Sequence, residues 1–368
     1  MKEEKNIRKK VMVGMSGGVD SSVAACLLQK QGYEVCGATL HLYDNADAGV
    51  KSRTCCSLAD VEDARAVAYR LGIEHYVFNF GPEFRRDVIG RFTDGYARGE
   101  TPNPCIDCNR FIKFGKMLER AKLLGMDYIA TGHYARVEYD PARGRYLLKK
   151  SEDTAKDQTY VLYSLTQDAL AHTLFPLGSL LKAEVRRIAG EQGFVNAKKP
   201  DSEDICFVPD GDYAGFLENK MGLVPRPGNF VDCAGNVVGK HRGLIRYTVG
   251  QRKGLGSFGE PKYVVRKDAA ENTVVLGRNS DLLCGRFAVG TVNWVSSACP
   301  PGPVEAEVKV RYSQSAFPAE ITPLPDGGAE IRFREPQRAV TPGQAAVFYQ
   351  GDEVLGGGTI RPAVPQKP

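Results

Sequence analysis

The sequence predicts an α/β protein built on a doubly wound open parallel sheet, followed by a small connecting domain and a C-terminal β-barrel. Three observations predict it. The apolar run Val11 to Met15 passes through a Gly-rich loop into a stretch with a helical apolar stripe at Val23, Leu27 and Leu28. Strand-like and helix-like segments then alternate as far as Val137. Much further on, Val304, Ala306, Val308, Val310 and Tyr312 alternate with Glu305, Glu307, Lys309 and Arg311, the period of a half-buried strand.

In order, Val11 to Met15 is the first strand, and the helix after the loop stops near Gly32. Tyr33 to Tyr43 is the second strand, and the polar stretch from Asp44 to Arg53 is a loop. Ser57 with Asp60 resembles a capping box opening a helix striped by Val61, Ala64, Ala68 and Leu71, which Gly72 ends. Ile73 to Phe80 is a third strand; Phe84, Val88, Phe92 and Tyr96 mark a helix, and Phe111 to Leu124 another. Tyr128 to Val137 supplies a fourth strand, Arg143 to Ser151 a hairpin strand, and Lys182 to Gln192 a helix stopped by Gly193. The expected domains are residues 1–210, 211–280 and 281–368, the last rich in short strands punctuated by Pro and Gly.

Composition narrows the class. A chain of 368 residues exceeds one ordinary core, and 42% hydrophobic with 25% charged residues is globular. No apolar run has membrane-spanning length, and the start, with Glu3 and Glu4 among its lysines, lacks the apolar centre of a signal peptide. The expectation is a cytoplasmic protein with no membrane partner. A net charge of +5 permits RNA binding without demanding it. Ten cysteines in such a compartment are core residues or chemistry rather than a disulfide framework.

The loop Gly14-Met15-Ser16-Gly17-Gly18-Val19-Asp20-Ser21-Ser22 carries the chemistry. Two glycines let backbone N–H groups approach an anion, and the following helix points its positive end at the same place. Ser16, Ser21 and Ser22 add hydroxyl donors, and Asp20 suits a magnesium ion bridging phosphate oxygens. The loop lacks a Walker lysine and the dinucleotide spacing. The bland alternative is a Gly-Ser turn. Ligands of such sheets sit beyond the carboxyl ends of the strands, where the loops after Leu40 and near Gly132 also lie.

Thr101-Pro102-Asn103-Pro104-Cys105-Ile106-Asp107-Cys108-Asn109 is a proline-punctuated loop ahead of a helix, with Cys108 near the helix start, where a dipole lowers a thiol pKa. The Cys-x-x-Cys pair reads as a redox dithiol, half a zinc site, or a nucleophile with its neighbour. The five histidines show no zinc spacing. Cys206, alone, reads as a core residue; Cys26 and Cys36 do too, and adjacent Cys55 and Cys56 read as structural. A nucleotide-activating loop together with separated thiols suggests sulfur chemistry. His133 is either a satisfied loop residue or a base or RNA contact at the ligand edge.

The loop resembles the Ser-Gly-Gly-x-Asp-Ser-Ser pyrophosphate loop of the ATP-pyrophosphatases. More of the chain is similar to one branch, the tRNA-specific 2-thiouridylases, which place sulfur on C2 of a wobble uridine. The likeness runs on through Thr101 to Pro104, Cys108-Asn109, Ile112 to Phe114, Ala130 to Tyr134, Lys156 to Gln158, Asp201-Ser202, Ile205 to Phe207, Gly250 to Gly256 and Thr341 to Gln344.

That resemblance implies ATP and magnesium as cofactors, with Gly14, Met15, Ser16, Gly17, Gly18, Val19, Asp20, Ser21, Leu40 and Gly132 around the nucleotide. It implies Cys108 as nucleophile and Cys206 as persulfide carrier, and His133, Lys156, Asp157, Gln158, Arg311, Tyr312 and Gln344 facing tRNA. Part of the family has Asp where this chain has Cys105, leaving an acid or base role to Asp107 if to any residue. The minority alternative makes Cys105, Cys108 and Cys206 ligands of an iron-sulfur cluster. The implied reaction adenylates the uracil oxygen and displaces it with persulfide sulfur, using a persulfide-carrying donor protein and an external reductant. Arg242, Arg246, Arg252 and Lys253 suit tRNA phosphates or form a solvated face. The rivals are an amidotransferase synthetase, for which no glutaminase nucleophile is visible, and an RNA-binding module with a vestigial loop.

Overall fold

The computed structural model describes residues 8–43, 58–201, 205–208 and 210–362. Contacts divide the chain into two compact units, one comprising Met1–Val88, Cys105–Gly211 and Asp352–Val354, the other Ile89–Pro104, Asp212–Gly351 and Leu355–Pro368.

The first unit holds a parallel sheet of β1 (Lys10–Gly14), β2 (Glu34–His41), β3 (His75–Asn79), β4 (Tyr128–Ala130) and, past the hairpin β5 (Arg136–Asp140) and β6 (Arg145–Lys149), β7 (Thr173–Leu174), in the order β3-β2-β1-β4-β7. Val11, Val13 and Met15 turn to one face, in a core with Val23 and Ala24 of the helix Val19–Lys30 and Val185 and Ala189 of the helix Lys182–Glu191. Gly14 turns to the other, where a Cβ would lie 3.3 Å from the Met117 sulfur. Helices therefore cover both faces, and β1 is buried on each side as an apolar run requires.

Gly32, Gly72 and Gly193, all at positive φ, end the helices as their positions in the sequence predict. Three elements differ. The fourth strand stops at Ala130, because the chain turns at Thr131–Ala135 to carry Gly132 against the loop helix, and the short edge strand Thr173–Leu174 carries too little pattern to read. The helix expected from Phe111 already starts at Pro104, with proline in its first turn, and continues through a wide π-turn segment, Cys108–Lys116, to Leu123. The expected Asp44 to Arg53 loop, Cys55, Cys56 and the Ser57 half of the capping box lie outside the described residues.

The second unit contains a four-stranded sheet, β8 (Gly228–Val231), β9 (Val237–His241), β10 (Tyr263–Asp268) and β11 (Thr273–Gly277), ordered β10-β11-β8-β9 around Phe230, Tyr247, Val264 and Leu276. After it come β12 (Leu283–Val289), β13 (Asn293–Trp294), β14 (Val304–Lys309), β15 (Phe317–Pro323), β16 (Ala329–Arg338), β17 (Ala345–Gln350) and β18 (Glu353–Thr359), running β12-β16-β15-β14-β17-β18. A Val289–Ile360 bridge, with Gly290 N donating to Thr359 O at 2.7 Å, joins first strand to last and closes the barrel. Val308, Ile321, Ile331 and Phe348 fill it. Among the described residues no helix is long and apolar enough to cross a membrane.

Candidate active site

The loop leaves β1 at the carboxyl edge of the sheet. Met15 N donates to Ala38 O of β2 at 2.8 Å, so the loop and the end of β2 with half-exposed Leu40 share that edge. Gly17 has φ +72°, and a Cβ there would stand 2.8 Å from Asp60 Cα, so only glycine fits. Gly18, extended at φ −87° and ψ 161°, caps the helix Val19–Lys30, whose first amides have no partner within the helix. Gly132 abuts the same turn: its Cβ would meet Asp20 C and Ser21 N at 2.7 Å. These backbone features fit a phosphate cradle.

The hydroxyls behave differently from expectation. Ser21 Oγ and Ser22 Oγ both donate to Gly18 O, at 3.1 and 3.0 Å, because a serine in a helix's first turn reaches the carbonyl one turn back. Ser16 is exposed at the loop's mouth. Asp20 is committed too: Lys182 Nζ lies 2.7 and 2.8 Å from its two carboxylate oxygens, and the Tyr134 hydroxyl donates to one of them at 3.0 Å. Burial, then Asp20, pushes the Tyr134 phenol far up, keeping it a donor. A carboxylate so engaged presents no open oxygen pair to magnesium, and the residues here do not fit the expected Asp20 magnesium site.

Lys182 also reaches Asp201 at 2.8 Å, which Lys156 and Arg186 contact at 2.9 Å each. Burial would raise the Asp201 carboxyl, but hydrogen bonds from Lys182 and Lys156 hold it below its ordinary value. On the loop's other side, Asn196 Nδ2 donates to Gly17 O at 3.0 Å and Ser22 Oγ at 2.9 Å, and Lys199 Nζ reaches Gly17 O at 3.2 Å, Asp60 at 2.6 Å and Asp63 at 2.7 Å.

Cys108 is buried, Cys105 exposed and Cys206 half-buried. Because the helix starts at Pro104, Cys105 occupies its first turn and Cys108 lies a turn further in, beyond the strongest dipole field assumed for it. Asn109 fixes that segment by donating to Val161 O at 3.0 Å. The Tyr43 hydroxyl donates to Cys206 O, and Phe207 meets Phe84 edge-on at 5.8 Å. No group of three or more His, Cys, Asp or Glu side chains among the described residues is placed to hold a metal, so this arrangement does not form the three-cysteine cluster. Cys36, its thiol pushed up to about 11 by burial and Glu74, is a core residue, as is Cys26.

The residues expected to face tRNA divide. His133 is enclosed: its ring lies 5.9 Å from Phe114 and 6.0 Å from Phe175, Nδ1 is 2.7 Å from Thr131 Oγ1, and burial, then Lys113, drives its pKa well below 6.5. In this geometry Nδ1 is taken by Thr131 and the ring is enclosed by two aromatic rings. Gln158 braces the Gly132 turn by accepting from Tyr134 N, while Asp157 accepts from Ser151 N and Thr159 Oγ1 and holds its own loop. In the second unit Arg311, Tyr312 and Gln344 line a 250 Å³ pocket with Thr101, Thr248, Ser313 and Thr341. Arg311 Nη2 donates to Val249 O, Ala339 O and Thr341 Oγ1, and Gln344 Nε2 to Thr101 O at 2.6 Å; both hold loops together. Tyr312 is 44% exposed, with Lys309 Nζ 5.5 Å from its ring centre.

Sequence reasoning missed Tyr134, Lys182, Asn196 and Lys199. Tyr134 ends the Ala130 to Tyr134 motif and Lys199 lies in a noticeably basic stretch, but their partners are distant in sequence.

The chain matches three family models: a tRNA methyl transferase HUP domain at residues 9–210, a tRNA methyl transferase PRC-barrel domain at 214–278 and an aminomethyltransferase beta-barrel domain at 285–360. It is 53% identical to the tRNA-specific 2-thiouridylase MnmA of Acetivibrio thermocellus, covering 96% of this chain and 99% of that one. With MnmA of Desulfitobacterium hafniense identity is 49%, over 96% and 98% of the two chains. A solved 4-thiouridine synthetase–RNA complex with bound ATP is loosely similar, at 19% identity and TM-score 0.38, over 58% of this chain and 50% of that one. Identity at that level along nearly the whole length, with the loop, the Gly132 turn and both thiols in one unit, makes the chain a member of the tRNA-specific 2-thiouridylase family.

Proposed function

We propose that this chain is a tRNA-uridine 2-sulfurtransferase that uses ATP to exchange the C2 oxygen of a wobble uridine for sulfur. The observation that carries the reading is a glycine cradle fit for phosphate at the sheet edge, built in the same unit as Cys108 and Cys206.

Uracil C2 is a poor electrophile, so its oxygen must first become a leaving group. The uracil oxygen attacks the α-phosphorus of ATP and pyrophosphate departs, its growing charge met by the amides of Gly17, Gly18 and the first turn. No carboxylate of this chain is assigned to a metal; a divalent cation bound with the triphosphate would supply further positive charge. The terminal sulfur of a Cys206 persulfide attacks C2 and AMP leaves, giving a Cys206–S–S–C2 adduct. Cys108 thiolate then attacks the Cys206 sulfur, releasing 2-thiouridine and forming a Cys108–Cys206 disulfide. An external dithiol supplies two electrons to reset the pair, and a persulfide-carrying donor protein reloads Cys206. Exposed Tyr312 suits stacking by an RNA base, and a tRNA substrate suits a cytoplasmic enzyme.

The test is pyrophosphate release from ATP on adding tRNA and a persulfide donor, with mass spectrometry of the tRNA. Release coupled one-for-one to 2-thiouridine is expected. RNA binding with no ATP turnover would favour the binding-module reading instead.

A further inference from the structure

The loop's polarity is set by two residues of the segment after the helix Lys182–Glu191. Gly17 O is held from behind by Asn196 Nδ2 at 3.0 Å and Lys199 Nζ at 3.2 Å. Asn196 is 2% exposed, and Lys199 is itself fixed between Asp60 at 2.6 Å and Asp63 at 2.7 Å. All peptide bonds among the described residues are trans, and in a trans peptide the carbonyl and the next N–H point in opposite directions. Pulling Gly17 O back into the protein therefore turns Gly18 N–H outward, to the loop's mouth. Glycines on both sides of this bond give it little steric preference, so without an anchor the peptide could rotate and present its carbonyl to an incoming anion.

We propose that Asn196 and Lys199 are positioning residues that fix the Gly17–Gly18 peptide with its N–H toward the phosphates of ATP. This rests on the nucleotide reading above and deepens it. Neither residue touches the phosphates; each acts through the carbonyl of Gly17. Asn196 also holds Ser22 Oγ at 2.9 Å, so one amide group sets both the loop carbonyl and the first turn of the helix.

Asn196→Asp tests the idea at nearly constant volume, since a carboxylate cannot donate to Gly17 O and repels it. Calorimetry on the full chain uses inorganic pyrophosphate and, separately, adenosine. Asn196→Asp is expected to weaken pyrophosphate binding and raise the KM for ATP by about tenfold or more, leaving adenosine affinity and the KM for tRNA within about twofold. Lys199→Met follows more weakly, and Lys199→Arg restores most of the loss. Unchanged pyrophosphate affinity in folded Asn196→Asp and Lys199→Met overturns the proposal, as does equal loss of pyrophosphate and adenosine, which marks general damage. If Asn196→Asp fails to fold, Lys199→Met decides by the same two ligands. A wild-type chain that binds no pyrophosphate would instead overturn the nucleotide reading beneath it.

Discussion

The phosphate loop of the first unit and the Arg311 pocket of the second were expected to bind ligand with the same kind of polar group, yet they use their atoms in opposite ways. In the loop, Ser21, Ser22 and Asp20 side chains turn inward to the protein, which on the proposed reading leaves the backbone to meet the phosphates. In the pocket, Arg311 and Gln344 side chains brace backbone carbonyls, and an aromatic ring is left at the surface. The charged or hydroxylated member of a motif is thus often the scaffold, and the group beside it the contact.

The comparison breaks first at the thiols, which neither scaffold can replace. Cys108→Ser and Cys206→Ser should each lower thiolation by at least about 10³-fold in a tRNA mass assay, with tRNA affinity within about twofold. Normal thiolation in either variant removes the two-thiol scheme. Gly17→Ala should come next. Its Cβ has no room beside Asp60 and the φ of +72° strains any other residue, so pyrophosphate release should fall about 100-fold and stability by about 2 kcal/mol in chemical denaturation. Lys182→Met leaves Asp20 and Asp201 facing each other's charge without their shared ammonium, and should cost about 2–4 kcal/mol, with Asp201→Asn in the same background recovering part of it.

Two milder tests sharpen the contrast between brace and contact. Tyr312→Ala should weaken tRNA binding by about 1–3 kcal/mol at unchanged melting temperature, whereas Arg311→Ala should lower the melting temperature. The reverse pattern would exchange their roles. His133 gives the smallest effect, read by pH. Its folded pKa is depressed below 6.5, so the unfolded chain binds the extra proton first; stability present above pH 6.5 is lost as pH falls below it. His133→Phe should flatten that acid slope, while losing about 1 kcal/mol with the Thr131 hydrogen bond.

The parallel sheet was legible because β1 is buried on both faces and reads as an unbroken apolar run, and Gly32, Gly72 and Gly193 punctuate its helices. The loop was legible because its glycines meet a local steric demand. The start of the cysteine helix was misplaced because Pro102 and Pro104 read as breakers, although proline suits a first helical turn. Lys182, Asn196 and Lys199 escaped notice because each acts on a residue more than 130 positions away, and no periodicity records such a partnership.

One detail of the architecture bears on how the molecule is made. Asp352–Val354 belongs to the first unit, where Glu353 pairs with Lys149 and receives Arg143 at 2.5 Å, and Asp352 takes Arg136 at 2.8 Å. The last contacts of the first unit are thus made by a strand translated some two hundred codons after its hairpin, and a chain halted inside the barrel lacks them.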